Sequence, residues 1–188
     1  GQFLTAGEAP RKGEMKAAVQ AMGKKAERLG AEIRLNTPVT KELIAEIKPH
    51  TVFNAIGAIP LIPQIPGHDL PCVANSHDVL NGVVQVDGKV VVIGGGMVGM
   101  ETAEYLAEKG CKVTVLEMLD EYCVDMGMAR KFCVTESIEQ AGIETVTGIT
   151  VTSIEEGKVI GKKDGETAEY PCDHAVIAIG SRSRCGKE

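Results

Sequence analysis

Apolar residues along the chain follow two rhythms, and their alternation predicts the elements. Met15, Val19, Met22, Ala26 and Leu29 recur at helical spacing and predict a helix over 14–29, closed by Gly30. Residues 1–13 before it lack any period and read as loop. A short strand is expected at 33–35. Pro38 and Thr40 introduce a second helix to residue 48, which Pro49 ends, and an apolar strand at 51–56 runs into Gly57. Residues 61–67, LIPQIPG, carry too many prolines for regular structure. Ser76 is expected to cap a short helix to Leu80, which Asn81-Gly82 ends.

The clearest pattern follows. Residues 90–93 form a continuous apolar run, as in a strand buried on both faces. A helical pattern fills 97–109 before Gly110, and a second strand spans 113–116. A helix at 127–141 and a strand at 143–146 complete a βαβαβ series. Three short segments then follow at 150–155, 158–162 and 166–170, joined at Glu156-Gly157 and Asp164-Gly165, dipeptides that favour tight hairpin turns. A last buried strand at 173–179 ends at Gly180. The expected class is α/β: a Rossmann-like parallel sheet with helices on one face and a three-stranded antiparallel meander on the other. This unit runs from residue 83 to 188. Residues 1–82 read as a separate segment plus linker, and they look as though the chain enters a domain part-way through.

The stretch from Lys89 to Glu117 carries chemistry. Gly94 allows a sharp turn out of the strand. Gly96 presents bare backbone at a helix N-terminus, where free N–H groups and the helix dipole favour an anion such as a pyrophosphate. Gly99 lets the helix pack closely on the strand. Glu117 closes the second strand roughly 20 residues beyond the turn, where a carboxylate accepts hydrogen bonds from an adenosine ribose diol. This order of parts points to NAD(H). A purely structural glycine turn leaves three consecutive glycines at a helix start without a reason. Met118, Leu119 and Asp120 offer no cation to a 2′-phosphate, so NADH is expected over NADPH. The nearest basic residues, Arg130 and Lys131, lie in the next helix, from which they could reach back.

Composition narrows the partners. In 188 residues the net charge is −6, with no tryptophan and 3% aromatic residues. An acidic, aromatic-poor chain suits neither a nucleic-acid backbone nor an anionic membrane, and no apolar run approaches a membrane span. Cys72, Cys111, Cys123, Cys133, Cys172 and Cys185 are scattered without a CxxC pair, as expected of reduced cytoplasmic thiols. His68, Cys72 and His77 lie near one another but have no fourth ligand at zinc-site spacing, so they read as loop residues and no metal is expected. Glu101, Glu104 and Glu108 read mostly as a solvated helix face. No catalytic constellation stands out. A dinucleotide-sensing module without catalysis and an S-adenosylmethionine-dependent methyltransferase are the alternatives; the antiparallel meander speaks against the latter.

GGGMVGMETAEYLA (94–107) resembles the GGGxxGxExA pattern of the pyridine-nucleotide domain in FAD- and NAD(P)H-linked reductases related to the disulfide oxidoreductases. AVIAIG (175–180) after the meander matches their layout. FNAIGAIP (53–60) resembles the strand that returns from their FAD domain, with Ile56 where threonine is usual. Gly1-Gln2-Phe3 resembles the tail of a GGQ motif, and IPG (65–67) an interdomain linker, of the old-yellow-enzyme-like enoate and dienoyl-CoA reductases. The resemblance implies cofactor contacts from Gly94, Gly95, Gly96, Met97, Val98, Gly99, Glu117, Ile179 and Gly180. It sets Glu101 near the nicotinamide amide and Met97 over the nicotinamide pocket. It also implies hydride transfer from NADH to FAD, with the remainder of a parent flavoenzyme as partner. Lacking that family's first glycine motif and its terminal Gly-Asp strand, the chain reads as a fragment not expected to hold FAD itself.

Overall fold

The computed structural model describes residues 1–184, so Cys185 lies outside the described residues. At its centre is a five-stranded parallel sheet. Its order is Val73–Asn75 (β2), His174–Ile177 (β9), Lys89–Ile93 (β3), Lys112–Leu116 (β4) and Glu144–Val146 (β5). Side chains alternate between its two faces, as strand geometry requires. Val90 and Val92 point into one core with Met100, Ala103 and Leu106 of the helix Met97–Glu108 (α5) and Val134 and Ile138 of the helix Met128–Gln140 (α6). Val91 and Ile93 point the other way, against Ile149, Ile154 and Val159. That second layer is the antiparallel meander Thr150–Glu155 (β6), Lys158–Lys163 (β7) and Glu166–Pro171 (β8). Asp164 and Gly165 both take positive φ at its second turn, as the dipeptide predicts. The expected fold class is the one observed.

The chain winds from β3 through α5, β4 and α6 to β5, then runs through the meander itself to return as β9 on the other side of β3. The winding direction therefore reverses between β3 and β9. Such a reversal opens a crevice beyond the carboxyl ends of the two strands. β2 then adds an edge beside β9, and the helix Ser76–Leu80 (α4) packs against α5. Residues 73–80, grouped by sequence with the first segment, thus lie on this sheet. α4 is capped by Asn75, whose side chain accepts from the Asp78 N–H at 3.0 Å, and not by Ser76.

The first third of the chain departs most from expectation. The helices Glu14–Arg28 (α2) and Lys41–Ile47 (α3) form, the latter capped by Thr40. Part of the segment read as loop is a short helix, Gln2–Ala6 (α1). The strands expected at 33–35 and 51–56 are absent. No strand among the described residues lies beside them, so their backbone groups have no ladder to join, and Leu35, Val52 and Phe53 are exposed. The ladder that does form lies further on: Ala58–Pro60 (β1) pairs antiparallel with Ser181–Ser183 (β10). It ties the first segment to the end of the crevice through the Leu61 N–H, which donates to the Gly180 carbonyl at 2.9 Å.

Candidate functional site

The crevice holds a cavity of about 580 Å³. Gly94, Gly96, Met97 and Val98 line it from the β3–α5 turn, and Ile179 and Gly180 from the segment after β9. Glu117 and the 118–126 loop close another side, and Thr150 and Val151 of the meander, with Pro63 of the proline-rich segment, complete the wall. Seven of the ten residues singled out from sequence therefore meet in one place; Gly95, Gly99 and Glu101 stand behind it. Each glycine has its own physical reason. Gly94 takes φ +108, and a Cβ there would lie 2.6 Å from the Ala178 carbonyl oxygen. A Cβ on Gly99 would lie 1.9 Å from the Gly94 carbonyl oxygen, so α5 can rest on the turn only with a bare residue there. Around Gly96 a Cβ would meet nothing within 4 Å. Gly96 is the N-cap of α5 and no side chain caps it, which leaves the first-turn N–H groups open to an anionic ligand.

Glu117 is buried, and both its oxygens are engaged. Oε2 accepts from the Gly95 N–H at 2.6 Å and Oε1 from the Leu119 N–H at 2.8 Å. The carboxylate thus fixes the glycine turn and the start of the 118–126 loop together. Each oxygen keeps a further lone pair for a hydrogen-bond donor in the cavity. This anchoring was not visible in the sequence, where Glu117 reads as a ligand contact alone.

Residues 14–186 match the pyridine nucleotide-disulphide oxidoreductase family. The chain belongs to it. Bilirubin reductase of Mediterraneibacter gnavus (strain CC55_001C) is 37% identical over 182 residues, which cover 97% of this chain and 28% of that protein. NADH oxidase of Thermoanaerobacter brockii is 37% identical over 193 residues, covering 100% of this chain and 30% of that protein. A solved 2-naphthoyl-CoA reductase in complex with 2-naphthoyl-CoA superposes with a TM-score of 0.90 at 28% identity, over 97% of this chain and 28% of that one. The chain therefore spans less than a third of the length of these relatives.

Behind the crevice, this pyridine nucleotide-disulphide oxidoreductase chain carries an ion-pair cluster that sequence reasoning missed. Glu104, expected on a solvated face, is buried on α5, as is Glu101, which the resemblance sets apart; of the three only Glu108 is exposed. Glu101 bonds Lys12 and lies 3.4 Å from Arg130, while Arg11 donates to Glu104 and to Ser137 of α6, both at 2.5 Å. The segment after α1 is thus pinned across α5 and α6. Helical periodicity cannot reveal this, because the partners lie about 90 positions apart. Removing one partner of a buried pair leaves an uncompensated charge. With Arg130 still near Glu101, Lys12→Met is expected to cost about 2 kcal/mol, a fall in Tm of roughly 4–8 °C by thermal unfolding. Lys12→Met combined with Glu101→Met should regain most of that loss.

The thiol in the cavity wall and the buried thiol just before β9 are chemically quiet. Cys123 lines the cavity, and burial pushes its thiol up; burial likewise raises Cys172 to about 11. Neither is primed as a nucleophile at neutral pH. His68 places Nδ1 2.8 Å from the Ile65 carbonyl, and no group of three or more potential metal ligands occurs among the described residues. Among those residues no helix is long and apolar enough to cross a membrane.

Proposed function

We propose that this chain is the NAD(H)-binding part of a flavin-dependent oxidoreductase in which hydride passes from NADH to FAD. The observation that carries the reading is the crevice between β3 and β9: open space at Gly96 over an uncapped helix N-terminus, with a buried carboxylate at the end of the next strand. These residues suit a dinucleotide. Gly96 and the first turn of α5 (Met97, Val98, Gly99) offer backbone N–H groups to the pyrophosphate, while Gly94 and Gly95, whose N–H groups are taken by the Leu116 carbonyl and the Glu117 carboxylate, shape the turn that brings it there. Glu117 accepts the adenosine ribose hydroxyls. Ile179 and Gly180 flank the nicotinamide end beside Met97. Glu101 belongs to that end on the strength of the resemblance, and its ion pairs with Lys12 and Arg130 brace the helix there.

Hydride chemistry is supplied by the nicotinamide and flavin groups when bound; the residues of this chain bind and orient. The reading needs no acid or base in the crevice, and the raised Cys123 thiol is consistent with that. FAD, the remaining partner domain and the final acceptor belong to a longer parent enzyme. The share of the relatives that the chain covers supports this. The proposed division keeps residues 1–82 as a flavin-side segment and linker, with β2 and α4 lying against the sheet of the unit at 83–188. We place the protein in the cytoplasm, in keeping with the free thiols of the cysteines among the described residues.

Calorimetric titration tests the reading. The purified chain is expected to bind NADH and to show no heat with S-adenosylmethionine, and its absorption spectrum should lack stoichiometric flavin bands near about 450 nm. Binding of S-adenosylmethionine without NADH would overturn the assignment.

A further inference from the structure

The crevice wall is electrostatically one-sided. Glu117, Glu121 and Asp125 line it, and no lysine or arginine among the described residues does. Two cations nevertheless act on the wall residue Cys123, namely Lys131 and Arg130. Each is already engaged: Arg130 with Glu101 at 3.4 Å, and Lys131 with Glu121 at 2.6 Å. We propose that Glu121 is a specificity-determining residue of the dinucleotide site, because its ion pair with Lys131 withholds a cation from the adenosine ribose end. This inference rests on the NAD(H) reading of the crevice.

Lys131 is well placed for the alternative role. Its Nζ lies 5.8 Å from the centre of the Tyr122 ring. Tyr122 and Glu117 both back onto Gly95, whose added Cβ would lie 3.0 Å from the Glu117 Cβ and 3.1 Å from the Tyr122 Cβ. Tyr122 is tied in turn to α6 through Thr135 at 3.1 Å. The ammonium is therefore held 2.6 Å from a carboxylate of the cavity wall, and its Tyr122 contact does not depend on Glu121. The hydrogen bond from Lys131 holds the Glu121 carboxyl below its ordinary range, and the same bond raises Lys131, so the pair is ionised at neutral pH. Its two charges cancel at the cavity wall, four residues beyond Glu117. Neutralising Glu121 leaves a net positive charge at that wall, which favours a dinucleotide carrying an extra phosphate and does so less at high salt.

The test is the ratio of the NADPH to the NADH dissociation constant, by calorimetry, for the parent, Glu121→Gln and Glu121→Gln/Lys131→Met. Adenosine 2′,5′-diphosphate and 5′-AMP serve as probes of the ribose end alone. Because Glu121 is largely exposed, its substitution leaves the fold in place. The parent is expected to favour NADH. Glu121→Gln should lower the ratio about tenfold, less so at high salt, and the added Lys131→Met should restore it. An unchanged ratio in Glu121→Gln, with NADH still bound, overturns the proposal. So does a gain that survives Lys131→Met. A parent chain that binds neither dinucleotide overturns the NAD(H) reading itself, and the proposal with it.

Discussion

Gly99→Val is expected to unfold most of the chain at temperatures where the parent is folded. The new Cβ would sit 1.9 Å from the Gly94 carbonyl oxygen, 3.0 Å from its carbonyl carbon and 3.4 Å from the Ala178 Cβ. Two of these atoms are backbone of the strand-to-helix turn, so no rotamer change relieves the contact. α5 must lift away from β3 and β9, and Met100, Ala103 and Leu106 go with it, all of them fully buried. Overpacking alone costs about 1–3 kcal/mol, and losing the seat of a central helix adds to it. An effect of roughly 5 kcal/mol is expected, against a total stability of about 5–15 kcal/mol for a domain. Gly99→Ala makes the test sharper. In an exposed helix interior glycine to alanine stabilises by about 1 kcal/mol; here the sign should reverse. Urea unfolding of both variants reads it out, and a Gly99→Ala protein as stable as the parent would remove the close-packing role.

How much of this was legible in the sequence follows from where the determining interactions lie. β3, the glycine turn, α5 and β4 are specified within thirty or so residues, by an apolar run, three glycines and a helical period, and they fold as read. The meander is equally local, because Asp164-Gly165 fixes one of its turns through backbone preference alone. β2 escaped notice because three residues after Pro71 carry no period; only the neighbouring β9 makes them a strand. The converse error occurred at 33–35 and 51–56. Local composition there favours strand, yet a strand is stable only beside another, and none of the described residues supplies one.

The candidate site divides the same way. Gly94, Gly96 and Glu117 were visible because their spacing follows from a strand, a turn and a helix of ordinary length. Lys12 was not, since nothing at position 12 signals a carboxylate on α5. Nor did the sequence distinguish Glu104 from Glu108. The two share a helix face one turn apart, and only the approach of Arg11 and Ser137 decides which is buried. Charged residues report their partners, and partners are a tertiary matter. Glu117 illustrates a mixed case. It ends its strand at the cavity, as the spacing predicts, but its bonds to the Gly95 and Leu119 N–H groups mean that Glu117→Ala would loosen the turn as well as remove the ribose contact proposed for it.

Gly96→Val therefore isolates ligand binding better than any change at Gly99 or Glu117. Gly96 has φ −70 and ψ 179, extended backbone that valine adopts without strain, and its added Cβ would meet no protein atom within 4 Å. The cost to the fold is confined to a poorer helix cap, about 1 kcal/mol. The cost to binding is larger. The side chain would stand in the cavity over the first-turn N–H groups of α5, holding an anion off the backbone. Hydrogen bonds to a charged group contribute about 1.5–3 kcal/mol each, so displacing two weakens binding by at least roughly 100-fold. Gly96→Ala, with a single methyl group, should fall between parent and valine variant. Calorimetry gives the dissociation constants, and circular dichroism checks the fold. A Gly96→Val chain that stays folded and binds NADH within about threefold of the parent would take the pyrophosphate off this helix, since no other consequence of the substitution is large enough to hide the loss.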